Sequence, residues 1–288
     1  MKTFINTLER RAEDTDSLLC IGLDPHLADL STGSRQRLDI PTAESALDFC
    51  LGIVKETADY ALAFKPNAAF FEIFGAEGWI ALKKLIAHIN NLSVPLILDA
   101  KRGDIASTAD AYAKSAFDHL GAGAITLNPY LGKDSIDPFI TNPENGAFLL
   151  CKTRNPGSDD LQNLFVETGL APVHEKGRPQ GSPLRLYEHV AKLAQSWNTN
   201  NNIGLVVGAT QPEALAKVRV AAPELWFLSP GVGAQGADMA TALKAGLRKD
   251  GLGILISASR SIARAKSPRQ AARELRDEIN KTKKEIGL

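Results

Sequence analysis

The chain has 288 residues, 44% of them hydrophobic and 23% charged, a balance suited to a soluble globular protein with a sizeable core. Lys plus Arg equals Asp plus Glu at 33 each, so no net field recruits nucleic acid or an anionic membrane surface. The three cysteines, Cys20, Cys50 and Cys151, are odd in number, widely spaced and set in apolar runs; they read as reduced core thiols, not as a disulfide frame or metal site.

The N-terminal stretch MKTFINTLERRAEDTDS is charged and amphipathic and lacks the apolar centre of a signal peptide. No later run approaches membrane-spanning length, so a cytoplasmic protein is expected. Short apolar runs then recur: LLCIGLD (18–24), YALAFK (60–65), PLILDAK (95–101), AITLNP (124–129), AFLLCKT (147–153), IGLVVGA (203–209), LWFLSPG (225–231) and GILISAS (253–259). Each is too short for a buried helix and rich enough in Ile, Leu and Val for a strand buried on both faces. Amphipathic stretches such as EGWIALKKLIAHI and QAARELRDEINKTKKEI lie between them. Eight alternating β and α units predict the α/β class and a closed (β/α)8 TIM barrel, with residues 1–288 as a single domain.

Two connections break the rhythm. Residues 29–42 form a polar link after the first strand. Residues 154–183 form a long Gly- and Pro-rich insertion after the fifth. The insertion leaves a strand's C-terminal end, where barrel enzymes build their sites, and reads either as a lid or as an inert loop.

The third run ends in DAKRGD, four charges in the six residues 99–104. Strand alternation predicts Leu98 and Ala100 on one side, with Asp99 and Lys101 together on the other, at the barrel mouth. Gly103 permits a bend, and Asp104 follows in the turn. The second run also ends in a charge, Lys65, just before Pro66. A structural ion-pair network would explain these residues, but buried charge is costly unless paired and is rarely needed for stability. At a barrel mouth such a cluster reads as catalytic.

DAKRGDI, followed by Thr108, closely resembles the Asp-x-Lys-x-x-Asp-Ile signature of the orotidine 5′-phosphate decarboxylase family. IGLDP (21–25), FKPN (64–67), SPGVGAQG (229–236) and SRSI (259–262) resemble further blocks of that family in the same order. The long insertion and CKTRNPGS (151–158) point to its larger bacterial subgroup.

The resemblance implies loss of CO2 from orotidine 5′-phosphate to give UMP, the last step of UMP biosynthesis, with no metal and no organic cofactor. It implies that Lys101 stands next to C6 of the pyrimidine and that Asp99 lies near the departing carboxylate. Lys65 and Asp104 would fix these two charges. It also implies a homodimer in which Asp104 and Thr108 reach the neighbouring subunit's site. Arg260 and Gln235 would hold the phosphate, with Gly231, Gly233 and Gly236 leaving backbone N–H groups open to an anion. Gln235 would also bridge towards the pyrimidine, Thr153 would meet its edge, and Asp24 would accept from a ribose hydroxyl.

The same glycines spell G-x-G-x-x-G, yet the region about twenty residues on offers no acidic partner for a ribose, which speaks against a dinucleotide site. Asn67 and Asn128 at strand ends read as partners of loop backbone. His26, His88, His119, His174 and His189 show no metal-ligand spacing. Two other readings stay open. One is a sugar-phosphate lyase or aldolase of the same superfamily that uses the aspartates to hold Mg2+. The other is a catalytically silent nucleotide-binding barrel.

Overall fold

Each of the eight apolar runs forms a strand. The computed structural model describes residues 2–30, 40–166, 183–232 and 238–287. The strands are β1 (Leu19–Leu23), β2 (Ala63–Pro66), β3 (Ile97–Arg102) and β4 (Ala124–Leu127). They continue as β5 (Gly146–Lys152), β6 (Ile203–Val207), β7 (Trp226–Pro230) and β8 (Ile254–Ala258). All pair in parallel, in the order β2-β1-β8-β7-β6-β5-β4-β3. The two ends of that order meet through single bridges, Phe64 with Leu96 and Asn67 with Asp99. Hydrogen bonds from Phe64 N–H to Pro95 C=O (3.0 Å) and from Ala68 N–H to Asp99 C=O (3.1 Å) sew this seam. Helices alternate with the strands, so the fold is the expected (β/α)8 barrel.

The strands are apolar on both faces because the barrel packs side chains inside and helices outside. Among the helices are α1 (Phe4–Thr15), α2 (Ala43–Thr57), α3 (Gly75–Asn91) and α4 (Ala106–Lys114). Helix α1 shows what the N-terminal stretch does. Thr3 caps it by accepting from Asn6 N–H, and Phe4, Ile5 and Leu8 are buried. The Phe4 ring stands edge-on to Phe148, centroids 6.3 Å apart. It lies over Gly146, where a Cβ would come within 2.5 Å of the ring. Gly146 opens β5, so α1 closes the N-terminal end of the barrel. Burying each of these three side chains contributes roughly 2 kcal/mol.

Phe165–Val166, inside the expected insertion, pairs antiparallel with Leu184–Arg185, just beyond its end. The part from 167 to 182 lies outside the described residues, as do 31–39 of the first polar connection. Cys20, Cys50 and Cys151 are buried and free, and burial pushes the Cys20 thiol up to about 12. Among the described residues no helix is long and apolar enough to cross a membrane.

Candidate active site

A cavity of about 790 Å3 opens where the C-terminal ends of all eight strands converge. Asp24 follows β1, and Lys65 and Asn67 come from the end of β2. Asp99 and Lys101 come from β3 and Thr126 from β4. Thr153 to Asn155 follow β5, and Gly208 follows β6. Pro230 to Val232 end β7, and Ser257 to Ser261 end β8.

At the floor a single carboxylate is held between two ammonium groups. Lys65 Nζ donates to Asp99 Oδ2 at 2.8 Å, and Lys101 Nζ donates to Oδ1 at 2.5 Å. The Lys65 and Asp99 side chains are 10% and 11% exposed, whereas that of Lys101 is 49% exposed and faces the cavity. Burial alone would push the Asp99 carboxyl up. The charges of Lys65 and Lys101 outweigh it and hold the group well below the usual carboxylate range. Burial likewise opposes the Lys65 ammonium, but Asp99 and Asp24 hold its value above that of an ordinary lysine. The pair is therefore fully ionised at neutral pH.

Asp99 and Lys101 come together as expected, but not by regular alternation. Ile97 and Leu98 pair with Ala124 and Ile125, and the register then jumps to Arg102 with Leu127. Residues 99–101 thus bulge opposite Thr126, and Lys101 sits at φ 48°, a conformation uncommon outside glycine. Bulge and strain of this kind recur at functional sites.

Asp104 stands apart from Lys65, Asp99 and Lys101. It does not line the cavity of its own chain; its carboxylate accepts from Ile105 N–H at 2.9 Å. Thr108 also lies outside the cavity and is exposed. Gln235, Gly233 and Gly236 lie outside the described residues, as does His174.

At the rim, Asp24 Oδ2 accepts from Ser259 Oγ at 2.6 Å, while its Oδ1 is buried without a hydrogen-bond partner among the described residues. A buried carboxylate oxygen without a donor invites a ligand hydroxyl. Gly22 makes this approach possible, since a Cβ there would stand 2.8 Å from Ser259 Cβ. Thr153 Oγ donates to Asn155 (2.7 Å) and accepts from Gln162 (2.9 Å), which leaves one lone pair. Arg260 opens the helical turn Arg260–Ala263 and lines the cavity, as does Arg154. Neither has an acidic partner among the described residues. Gly231, at φ 103°, brings the β7 loop against the Arg154 side chain.

Sequence reasoning missed Thr126, Arg154, Ser259 and His26, whose ring packs on Phe70 at 4.5 Å. Asn67 and Asn128 do serve loop backbone, accepting from Ala69 and Tyr130 N–H. Among the described residues no cluster of three or more His, Cys, Asp or Glu could hold a metal ion.

Residues 17–275 match the model of the orotidine 5′-phosphate decarboxylase / HUMPS family. Orotidine 5′-phosphate decarboxylase of Roseiflexus castenholzii is 45% identical over 286 residues, which cover 96% of this chain and 97% of the relative. The structure of Leishmania donovani OMP decarboxylase superposes with a TM-score of 0.81 at 49% identity, covering 98% of this chain and 99% of that one. Leishmania donovani UMP synthase gives 0.84 at 50% identity, and there this chain spans 57% of the longer protein. A barrel with its charged cavity at the strand ends and this extent of likeness lead to one conclusion: the chain belongs to the orotidine 5′-phosphate decarboxylase / HUMPS family.

Proposed function

We propose that this protein decarboxylates orotidine 5′-phosphate to UMP, the closing step of UMP biosynthesis, by electrostatics alone and without a metal or organic cofactor. The observation that carries the reading is the buried Asp99 carboxylate clamped between Lys65 and Lys101 at the floor of the cavity.

The chemistry is hard because no π sink accepts the electrons of the breaking bond. The bond from C6 to the carboxylate breaks, CO2 leaves and the electron pair stays on C6. The Lys101 ammonium faces that carbon, stabilises the developing charge and transfers a proton to it. The lysine then recovers its proton from solvent. Asp99 stands beside the substrate carboxylate. Two such charges about 4 Å apart repel by about 4 kcal/mol at an effective dielectric near 20, a repulsion relieved as CO2 departs. We treat this as secondary to Lys101. Lys65 keeps Asp99 ionised and in place.

Asp24 offers its free oxygen to a ribose hydroxyl. The remaining Thr153 lone pair suits the ring N–H of a pyrimidine. Arg260 meets the phosphate, with Gln235 and the backbone at Gly233 completing that end. Asp104 and Thr108 serve the site of a second subunit in a cytoplasmic homodimer. In support, Ile105 and Tyr112 lie close to them in sequence after β3, and these two, with Tyr130 and Leu131 after β4, are exposed apolar side chains suited to a partner copy.

The Mg2+ reading fares worse on the donor set. Asp99 already spends both oxygens on two ammonium groups, which a divalent cation would have to displace. The test is CO2 release from orotidine 5′-phosphate by the purified protein in excess EDTA. Sustained release is expected. Release that stops with EDTA and returns with Mg2+ would overturn the cofactor-free reading.

A further inference from the structure

The bulge in β3 frees two backbone N–H groups, those of Ala100 and Lys101, from the ladder with β4. Both donate to one atom, Thr126 Oγ1, each at 3.0 Å. The same hydroxyl donates to Asp99 Oδ1 at 3.0 Å. A threonine hydroxyl has one donor and two acceptor sites, and here all three are used. The side chain is buried, the residue being 1% exposed. In sequence Thr126 interrupts the apolar strand AITL, where a valine would serve packing equally well.

We propose that Thr126 is a positioning residue. Its hydroxyl caps the N–H groups freed by the bulge, holds Lys101 in its strained backbone conformation and orients Asp99, so that ammonium and carboxylate stand at fixed places on the cavity floor. The inference rests on the decarboxylase reading for its kinetic consequence, but not for its geometry. An unbulged β3 would return Lys101 to an extended backbone, on the face it shares with Asp99 but about 7 Å along the strand, and so change where its ammonium reaches. Thr126 Oγ1 touches Ala100, Lys101 and Asp99 and neither Arg260 nor Asp24, the groups proposed for phosphate and ribose, so UMP binding is expected to hold.

The experiment compares Thr126→Val, which keeps the shape and loses the hydroxyl, with Thr126→Ser, which keeps the hydroxyl. For Thr126→Val, kcat is expected to fall by about a hundredfold, the size of effect that an ångström of misplacement produces. UMP affinity should hold, and Thr126→Ser should keep most of the activity. Crystal structures of the wild type and Thr126→Val should show Lys101 leaving its positive φ and its contact with Asp99 lengthening. Should Thr126→Val fail to fold, Thr126→Cys takes its place, with a similar volume and a weak donor. Wild-type kcat in the hydroxyl-less variant would overturn the proposal. So would parallel losses of kcat and UMP affinity in both Val and Ser variants, which would mark a merely structural residue. If the wild type releases no CO2, the functional reading fails, and the two crystal structures still decide the role of Thr126.

Discussion

Replacing Lys65 by methionine removes one charge from a buried pair and keeps the length of the side chain. Opposite charges 2.8 Å apart attract by about 6 kcal/mol at an effective dielectric near 20. Breaking a buried pair from one side costs about 3–5 kcal/mol, because the other charge is left desolvated. Asp99 keeps Lys101 and the Thr126 hydroxyl, so Lys65→Met should lose about 3 kcal/mol, the lower end of that range. The double variant Lys65→Met/Asp99→Asn removes the stranded charge and should recover about 2 kcal/mol relative to the sum of the single losses. Denaturant unfolding at pH 7 measures all four corners of this cycle. The pH dependence gives a second check. The native value of Asp99 is depressed below its ordinary 3.8, so its stabilisation is complete above that value and is lost as pH falls towards the native value. In Lys65→Met the carboxyl rises, and acid relieves the stranded charge. The deficit against wild type should therefore narrow as pH falls from 7 through the variant's raised carboxyl value. Additive single losses, or a deficit that widens in acid, would refute the reasoning.

Arg260→Ala should weaken UMP by about tenfold or more, the worth of a charge-assisted hydrogen bond, while leaving uridine nearly unchanged; equal losses in calorimetric titrations of both ligands would remove Arg260 from the phosphate. Mixing inactive Lys101→Ala and Asp104→Asn subunits should restore about a quarter of wild-type activity, since random pairing in a two-fold dimer leaves one site in four intact. Verified heterodimers that stay inactive would argue against shared sites.

The barrel was legible because each strand is an uninterrupted apolar run, and Lys65, Asp99 and Lys101 were legible because charge at the end of such a run has few structural uses. The bulge was not. Period-two reasoning assumes a regular ladder, and nothing in ILDAKR marks that residues 99–101 face one threonine. Thr126 was hidden for the same reason: a small polar residue inside AITL looks like ordinary core. Ser259 and Asp24 meet across 235 residues of sequence, a contact that only closure of β8 onto β1 creates. The N-terminal stretch showed its amphipathic face but not what that face covers, the base of the barrel under Phe4.

The central claim is that the Lys101 ammonium stabilises and then protonates C6. The measurement is turnover of orotidine 5′-phosphate in D2O by wild type and Lys101→Ala, reading CO2 released, deuterium at C6 of the UMP formed, and UMP affinity. The account predicts one deuterium at C6 for each CO2 from the wild type. It predicts no turnover from Lys101→Ala, with UMP binding largely intact. Turnover and C6 deuteration by Lys101→Ala at the wild-type rate would contradict it.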